Sequence, residues 1–204
     1  MANLNSSTPR LLLGLSQDVV YLICELLSSA DILSLSLTST ILHRMVETII
    51  YSSVELRWKH RLFPPLIPLT RTLLARPELG TYVKHVRLQG FASYLTFPPY
   101  GTPPNLRPRH EDLVEPIAFI RRTGVPFIDD WIEGLCHGSI DAWVAVVLLQ
   151  FPNMRTLHIS LEFIQKTEFL GLAFQAALAE PSKYHLPLFG SLYSLTINTL
   201  RDRN

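Results

Sequence analysis

The first 50 residues carry two stripes of hydrophobic positions at helical spacing, and each stripe predicts an amphipathic helix. The first stripe predicts a helix over about 16–27, with Ser16 placed to cap it and Asp18 near its positive end. The second stripe predicts a helix over 41–50. The stripes consist of Val19, Val20, Ile23, Leu26 and Leu27, and of Ile41, Leu42, Met45, Val46, Ile49 and Ile50.

The segment between these stripes has a different pattern. From Asp31 to Leu37, apolar and polar residues alternate, and this alternation by itself predicts a strand. Two serines, Ser28 and Ser29, separate it from the first helix. The pattern alone leaves the structure of this segment open.

An apolar triplet with members at relative positions 0, 3 and 5 recurs four times in short β-prone runs. The intervals between successive triplets are 32, 71 and 38 residues. The last two triplets lie in Phe151–Ile159 and Phe189–Ile197, which align without a gap. The triplets are Tyr51/Val54/Leu56, Val83/Val86/Leu88, Met154/Leu157/Ile159 and Leu192/Leu195/Ile197.

Helical patterns lie between the triplets, over 67–75, 127–137, 141–150 and 161–179. A short strand followed by a helix, repeated along the chain, is typical of a leucine-rich solenoid, in which each unit buries its apolar edge against its neighbours. The intervals here are longer and less even than in a regular solenoid, so we expect a degenerate unit or an insertion in the 71-residue interval. Its proline-rich part, at about 91–110, predicts a surface loop.

Residues 198–204 follow the fourth triplet and are too few to form a covering helix. Solenoids need polar caps at their ends, so an exposed apolar strand here predicts either a truncated product or a partner that covers it. Of the two, we expect truncation.

Composition and charge narrow the function classes. The 204 residues are 48% hydrophobic and 17% charged, as in a folded chain and unlike a disordered one. The net charge of +1 gives no reason to expect a nucleic acid or an anionic membrane as partner. No apolar run of 18 residues predicts a membrane span, and the start of the chain lacks a secretory signal pattern. Cys24 and Cys136 lie in no metal-binding spacing, which favours a cytoplasmic or nuclear compartment.

The region 15–51 resembles an F-box. The pattern of that family begins with Leu-Pro, an acidic residue two positions further on and two aliphatic residues. It continues with an isoleucine and leucines, an Asp-Leu pair and a Leu-Thr-Cys-Arg-like start of the third helix. The corresponding residues here are Leu15, Ser16, Asp18, Val19, Val20, Ile23, Leu26, Leu27, Asp31, Ile32, Leu33, Leu37, Thr38, Ser39, Leu42 and His43. Residues 71–88 are similar to the segment that follows the F-box in many fungal F-box proteins with leucine-rich-repeat-like tails.

The resemblance implies an α+β fold with two parts. After a disordered segment at 1–10, a three-helix F-box occupies 11–51. An irregular leucine-rich-repeat-like β-α solenoid, short or truncated, then occupies 52–204. The resemblance also interprets the alternating segment, 31–37, as a helix.

Two positions depart from the family pattern. Ser16 replaces the usual proline, and Ser39-Thr40 stands where Cys-Arg is common. Serine keeps the helix-capping role, so we expect the fold to survive. The packing of proline against the adaptor is lost, so we expect a lower affinity.

The resemblance further implies a function. A Skp-family adaptor grips an F-box by its apolar faces and connects it to a cullin and a RING subunit. The chain would then be the substrate-recognition subunit of an SCF-type ubiquitin ligase, with no catalytic residue, cofactor or metal of its own. The alternative is an F-box protein that acts as an interaction module outside a ubiquitin ligase. The expected adaptor contacts are Leu15, Ser16, Val19, Val20, Ile23, Leu27, Leu33 and Leu37, some of which are equally candidates for the internal core of the three helices.

The expected substrate surface is the strand edge that includes the positions between the triplet members. The candidate residues are Glu55, Lys84, His85, Arg87, Arg155 and His158. Nothing in the sequence names the protein substrate.

Three further sequence features bear on catalytic, metal and nucleic-acid sites. Gly134-Leu-Cys136-His-Gly138 matches a nucleophile elbow, but the residues before it recur at helical spacing, so we expect the glycines to end a helix and Cys136 to be a buried structural thiol. The seven histidines form no His-x-x-x-His pair, so no metal site is predicted. The basic run 57–61 could contact nucleic acid, but with a net charge near zero we expect a solvated turn.

Overall fold

A computed structural model describes residues 15–58, 65–90, 106–160, 168–180 and 183–198. The chain divides into two compact units, Met1–Ser52 and Ser53–Asn204, called unit 1 and unit 2 below. The expected disordered segment at 1–10 lies outside the described residues. The expected surface loop at about 91–110 is described only from residue 106 onward.

Unit 1 contains three helices, α1 (Gln17–Glu25), α2 (Ser29–Ser36) and α3 (Thr40–Ile50). Ser28 caps α2 by accepting a hydrogen bond from the Asp31 N–H, and Ser39 caps α3 by accepting one from the Ile41 N–H. The buried core of the unit is formed by Val20, Cys24, Ile32 and Val46, with Leu15, Leu27, Leu35, Met45, Ile49 and Ile50 packed against it.

The strand suggested by the alternation over 31–37 is wrong, and the helix implied by the family resemblance is present as α2. The reason lies in the cap and in the spacing of the buried residues. Once Ser28 starts a helix, Ile32 and Ser36 fall one turn apart and point inward, whereas Leu33 and Leu37 are exposed. A period-two pattern of leucines therefore does not mark a buried face here.

Unit 2 is a mixed helix and strand structure, so the described chain is α+β as expected. Its strands are β1 (Ser53–Trp58), β2 (His85–Gly90), β3 (Thr156–Ser160) and β4 (Ser194–Asn198). Its described helices are α4 (Leu66–Ala75), α5 (Pro77–Tyr82), α6 (His110–Thr123), α7 (Ile128–Cys136), α8 (Ile140–Leu148) and α9 (Phe169–Ala179). The helix expected over 161–179 is present from Phe169 onward, and its first residues lie outside the described part.

The strands form one parallel sheet whose order, β1-β2-β3-β4, follows the chain. The four triplets are paired in register across it. The members at position 3 form one row, Val54, Val86, Leu157 and Leu195, and those at position 5 form a second, Leu56, Leu88, Ile159 and Ile197. A spacing seen in the sequence at intervals of 32, 71 and 38 residues therefore corresponds to a single sheet register.

Helix α8 lies at the centre of unit 2. All nine of its residues are buried, and it packs against α4, α7 and α9. Two tryptophans link α7 and α8 reciprocally: Trp131 Nε1 donates to the Ala142 carbonyl at 3.0 Å, and Trp143 Nε1 donates to the Leu135 carbonyl at 3.3 Å. Both indole N–H groups are thus satisfied within the core.

Asp141, near the start of α8, connects this helix to α9. Its carboxylate accepts hydrogen bonds from the backbone N–H groups of Phe169 at 2.7 Å and Leu170 at 3.2 Å, so it caps α9 from a distant position in the sequence. Burial raises the pKa of Asp141 to about 6, although these hydrogen bonds act in the opposite direction.

The 71-residue interval contains α6, which the sequence did not predict, followed by α7 and α8. The end of the predicted surface loop is also different from expectation. Leu106 is buried, and its N–H donates to the Gly138 carbonyl at 2.7 Å. The chain is therefore already packed against the core of unit 2 before α6 begins.

Candidate functional site

Helix α1 presents hydrophobic side chains on two sides. Val20 and Cys24, four positions apart, point into the core of unit 1. Val19, Leu22 and Leu26, at spacings of three and four, lie along another side and are exposed. Leu26 is 88% exposed, more than many charged side chains in a folded protein.

The other two helices of unit 1 extend this exposure. Leu33 and Leu37 are one helical turn apart at the end of α2, and Leu37 is 80% exposed. Ile41 is exposed in the first turn of α3. We call these exposed side chains of unit 1 the leucine surface; its members are Val19, Leu22, Leu26, Leu33, Leu37 and Ile41.

The structure divides the expected adaptor contacts into three groups. Val19, Leu33 and Leu37 are exposed and belong to the leucine surface, and Leu15, Ile23 and Leu27 are half-buried. Val20 is 1% exposed and lies in the core, so its assignment as a contact residue is wrong. Val19 and Val20 are adjacent, and a helix turns by about 100° per residue, so only one of them can face the core.

Ser16 occupies the position before α1, but its side chain accepts no hydrogen bond from the helix. The expected side-chain cap by Ser16 is therefore wrong. Its side chain is exposed, so it is accessible to a partner. Leu22, Leu26 and Ile41 are surface residues that were not among the expected contacts. The spacing of Leu22 and Leu26 to Val19 was the available signal, because it defines a second stripe beside the one that enters the core.

The sheet of unit 2 has two unlike faces. Leu56, Leu88 and Ile159 are buried on one face. The alternating positions form polar rows: Ser53, His85, Thr156 and Ser194 are paired in one, and Glu55, Arg87, His158 and Thr196 in the next. We call these eight residues the polar sheet face. Parallel sheets are almost always covered on both faces by hydrophobic contacts, so a polar and partly exposed face is unusual.

The structure brings together four of the expected substrate contacts, Glu55, His85, Arg87 and His158, on the polar sheet face. His85 Nδ1 lies 2.9 Å from Thr156 Oγ1, within hydrogen-bond distance. Arg57 donates to Glu55 at 2.9 Å, and this hydrogen bond raises the pKa of Arg57. Arg87 Nη1 lies 3.7 Å from the other oxygen of Glu55, so two guanidinium groups share one carboxylate.

The other two expected contacts, Lys84 and Arg155, immediately precede β2 and β3. They are neighbours at the amino-terminal edge of the sheet, where the Arg155 N–H donates to the Lys84 carbonyl at 2.7 Å. Both side chains are exposed, and no carboxylate of the described chain pairs with either.

The nucleophile-elbow interpretation of Cys136 does not fit the structure, because an elbow follows a strand and Cys136 is the last residue of α7. The helix ends in a Schellman motif: Ser139 N–H donates to the Gly134 carbonyl at 2.9 Å, and Gly138 N–H donates to the Leu135 carbonyl at 3.0 Å. Gly138 ends the helix as expected, with φ of 72°. Cys136 is exposed, which corrects the expectation of a buried thiol, whereas Cys24 is buried and its pKa is raised by burial.

Metal and nucleic-acid chemistry find little support in the described residues. Across those ranges, no three His, Cys, Asp or Glu side chains are grouped so as to hold a metal ion. The basic run begins in β1 with Arg57, which is paired with Glu55, and its residues 59–61 lie outside the described part.

The described helices are short for crossing a membrane. No individual helix among them combines the length and the apolar character that a bilayer crossing requires. Helices α7 and α8 meet those criteria only when taken as a pair, and they are bent by 118° relative to each other.

Strand β4 differs from the other three strands in its burial. In β2 and β3, the residues in the same rows as Leu195 and Ile197 are buried. In β4, Leu195 is 59% exposed and Ile197 is exposed as well. Leu188 and Tyr193, just before the strand, are also exposed. In the described structure, the apolar residues of β4 therefore lack the covering that the preceding strands have.

Comparisons of the chain with protein-family models, with curated proteins and with solved structures find no match.

Proposed function

We propose that this chain is a non-catalytic substrate-recognition subunit of an SCF-type cullin-RING ubiquitin ligase. Unit 1 is proposed to bind a Skp-family adaptor as an F-box, and through it the cullin and RING subunits. Unit 2, with its leucine-rich-repeat-like order of strands and helices, is proposed to bind a protein substrate.

The leucine surface is the observation that carries this proposal. It places six large hydrophobic side chains of three short helices in solvent. Burying a leucine fully contributes about 1.5–3 kcal/mol, so several such residues are sufficient for a stable interface. Six large exposed hydrophobic side chains within one small unit favour a protein-interaction site there.

The small size of unit 1 supports the same conclusion. Unit 1 spans Met1–Ser52, and units of this size bury only about 60% of their surface on folding, which leaves them marginally stable. Cys24 is the only cysteine in residues 1–52, so no disulfide can form within the unit. A partner that covers the leucine surface would add to its stability.

The test is capture of a purified Skp-family adaptor by the tagged full-length chain. We expect the double variant Leu22→Asp, Leu26→Asp to lose capture, because two carboxylates would be buried at the interface. The matched control is Val114→Asp, Leu178→Asp, which places the same charges on exposed hydrophobic positions of α6 and α9. This control should bind as the wild type does.

The outcomes separate the alternatives. Failure of the wild type to bind any Skp-family adaptor, or equal loss in both double variants, would contradict the F-box proposal. Adaptor capture without recruitment of a cullin would favour an interaction module outside a ligase. Val20→Asp is unsuitable for this test, because Val20 is in the core and its substitution would unfold unit 1.

A further inference from the structure

We infer that the sheet of unit 2 binds a short, acidic segment of a protein partner along its polar face and amino-terminal edge. This inference rests on the proposed function in that it assigns a chemical class to the substrate. It is carried by the charge of the surface, its width and its unpaired cations.

The charge of this surface is unbalanced. Lys84 and Arg155 at the edge are cationic, and so are Arg87 on the polar sheet face and Arg57, the next alternating residue after Glu55 in β1. Glu55 is the single carboxylate that pairs with any of them in the described structure. The surface therefore carries a net charge of +3 with both histidines neutral. The whole chain has a net charge of only +1, so the positive charge is a local property of this surface.

The two cations at the sheet edge are the strongest candidates for contact with a ligand carboxylate. Lys84 and Arg155 lie side by side, are exposed and have no acidic partner among the described residues. A guanidinium group binds a carboxylate through two parallel hydrogen bonds, and a lysine supplies a point charge beside it. Next to them, the hydroxyl groups of Thr156 and Ser194 offer neutral hydrogen-bond partners.

The size of the surface limits the ligand. Four strands at a spacing of about 4.8 Å span about 14 Å, which corresponds to about four or five residues of extended chain. A protein that makes about 6–10 phosphate contacts along a nucleic-acid backbone needs more cations than the four found here. A short run of Asp and Glu side chains fits the surface better.

The test measures binding of fluorescein-labelled hexaglutamate to the full-length chain by fluorescence anisotropy at low salt, with hexaglutamine as the neutral probe. We expect Lys84→Gln, Arg155→Gln to weaken hexaglutamate binding by about tenfold, as expected for the loss of two exposed charge pairs. The control Arg121→Gln, Arg122→Gln removes the same charge from exposed positions of α6 and should bind as the wild type does.

A third variant should change binding in the opposite direction. Glu55→Gln removes the carboxylate that occupies Arg57 and Arg87, so we expect hexaglutamate to bind about threefold more tightly. A variant that merely destabilises the protein would not gain affinity. Binding should also weaken as salt is raised.

The inference would be overturned by equal binding of hexaglutamine, by equal loss in the α6 control, or by tighter binding of a dodecathymidylate oligonucleotide. Adaptor capture by the same variants is measured in parallel. Loss of peptide binding with adaptor capture intact would contradict only the acidic-segment inference. Loss of adaptor capture by the wild type with peptide binding intact would contradict only the proposed function.

Discussion

Helices α1 and α8 have nine residues each, but α8 buries all nine and α1 buries only Val20 and Cys24. The difference follows from what surrounds each helix. Helix α8 packs against α4, α7 and α9, whereas unit 1 offers α1 only two short helices as neighbours. A hydrophobic side chain in unit 1 can therefore be buried, as Val20 is, or exposed, as Val19 is, and hydrophobicity alone does not say which.

The largest loss of stability is expected for a substitution inside α8. Leu148→Ala should lower the free energy of unfolding of unit 2 by about 2–5 kcal/mol, because a buried leucine leaves a cavity. Chemical denaturation followed by tryptophan fluorescence checks this, since residues 58, 131 and 143, the three tryptophans, all lie in unit 2. The control, Leu178→Ala on the exposed side of α9, should change stability by less than about 0.5 kcal/mol. Similar losses in both variants would mean that unit 2 lacks a distinct core.

The next effect concerns how tightly unit 2 is packed at a helix end. Gly138 and Gly124 both have φ near 70°, but a Cβ at Gly138 would lie 1.9 Å from the Leu106 carbonyl oxygen, and one at Gly124 would touch nothing. We expect Gly124→Ala to cost about 1–2 kcal/mol through backbone strain alone. Gly138→Ala should cost a further 1–3 kcal/mol or so, because the Leu106 backbone must also move. Equal losses of thermal stability would show that the contact with Leu106 is not formed.

A pH-dependent effect is expected from the buried cap of α9. The pKa of Asp141 is raised to about 6 in the folded chain and is near its ordinary value, about 3.9, in the unfolded chain. Between about pH 4 and about pH 6, Asp141 is therefore protonated in the folded chain and ionised in the unfolded chain. The free energy of unfolding falls as pH rises through this range, by at most about 3 kcal/mol. Asp141→Asn should lack this decrease when unfolding is measured at pH 4.5, 5.5 and 7. If the free energy of unfolding of the variant falls with pH as steeply as that of the wild type, another group causes the pH dependence.

The smallest effect is expected on the leucine surface. Leu26→Ala should change the stability of unit 1 by less than about 0.5 kcal/mol in the absence of an adaptor, because the side chain is already in solvent. Leu42→Ala makes the same substitution at a buried position of α3 and should destabilise the unit clearly. Amide hydrogen exchange of α1, α2 and α3 distinguishes them. Comparable loss of protection in both variants would place Leu26 in the core.

The sheet could be predicted from sequence to an unusual degree, because the triplet spacing records the alternation of buried positions in each strand. The row Leu56, Leu88, Ile159 and Ile197 follows directly from the alignment of the triplets. Helix α6 was not predictable in the same way. It contains Pro116, which normally argues against a helix interior, and it follows a proline-rich segment.

The leucine surface could be predicted only in part, for a physical reason. A sequence stripe reports that a helix has a hydrophobic side, but it does not distinguish a side that meets the core from one that meets solvent. Val19 and Val20 are equivalent in composition and adjacent in sequence, and only the positions of α2 and α3 decide which of them is buried. The charge of the sheet surface was likewise visible as separate residues, but the sharing of Glu55 by Arg57 and Arg87 depends on strand register.

The order of the strands has a consequence for synthesis of the chain on the ribosome. Because each strand pairs with the one made just before it, β2 finds β1 already translated, β3 finds β2, and β4 finds β3. The sheet can therefore grow one strand at a time during translation, because every strand after β1 finds a partner that has already been made. Each newly made strand then passes through a stage in which its apolar side chains are open to solvent, as Leu195 and Ile197 are in β4. For β1, β2 and β3 this exposure ends when the next helix and strand emerge, so the rate of translation sets how long each strand is vulnerable to aggregation.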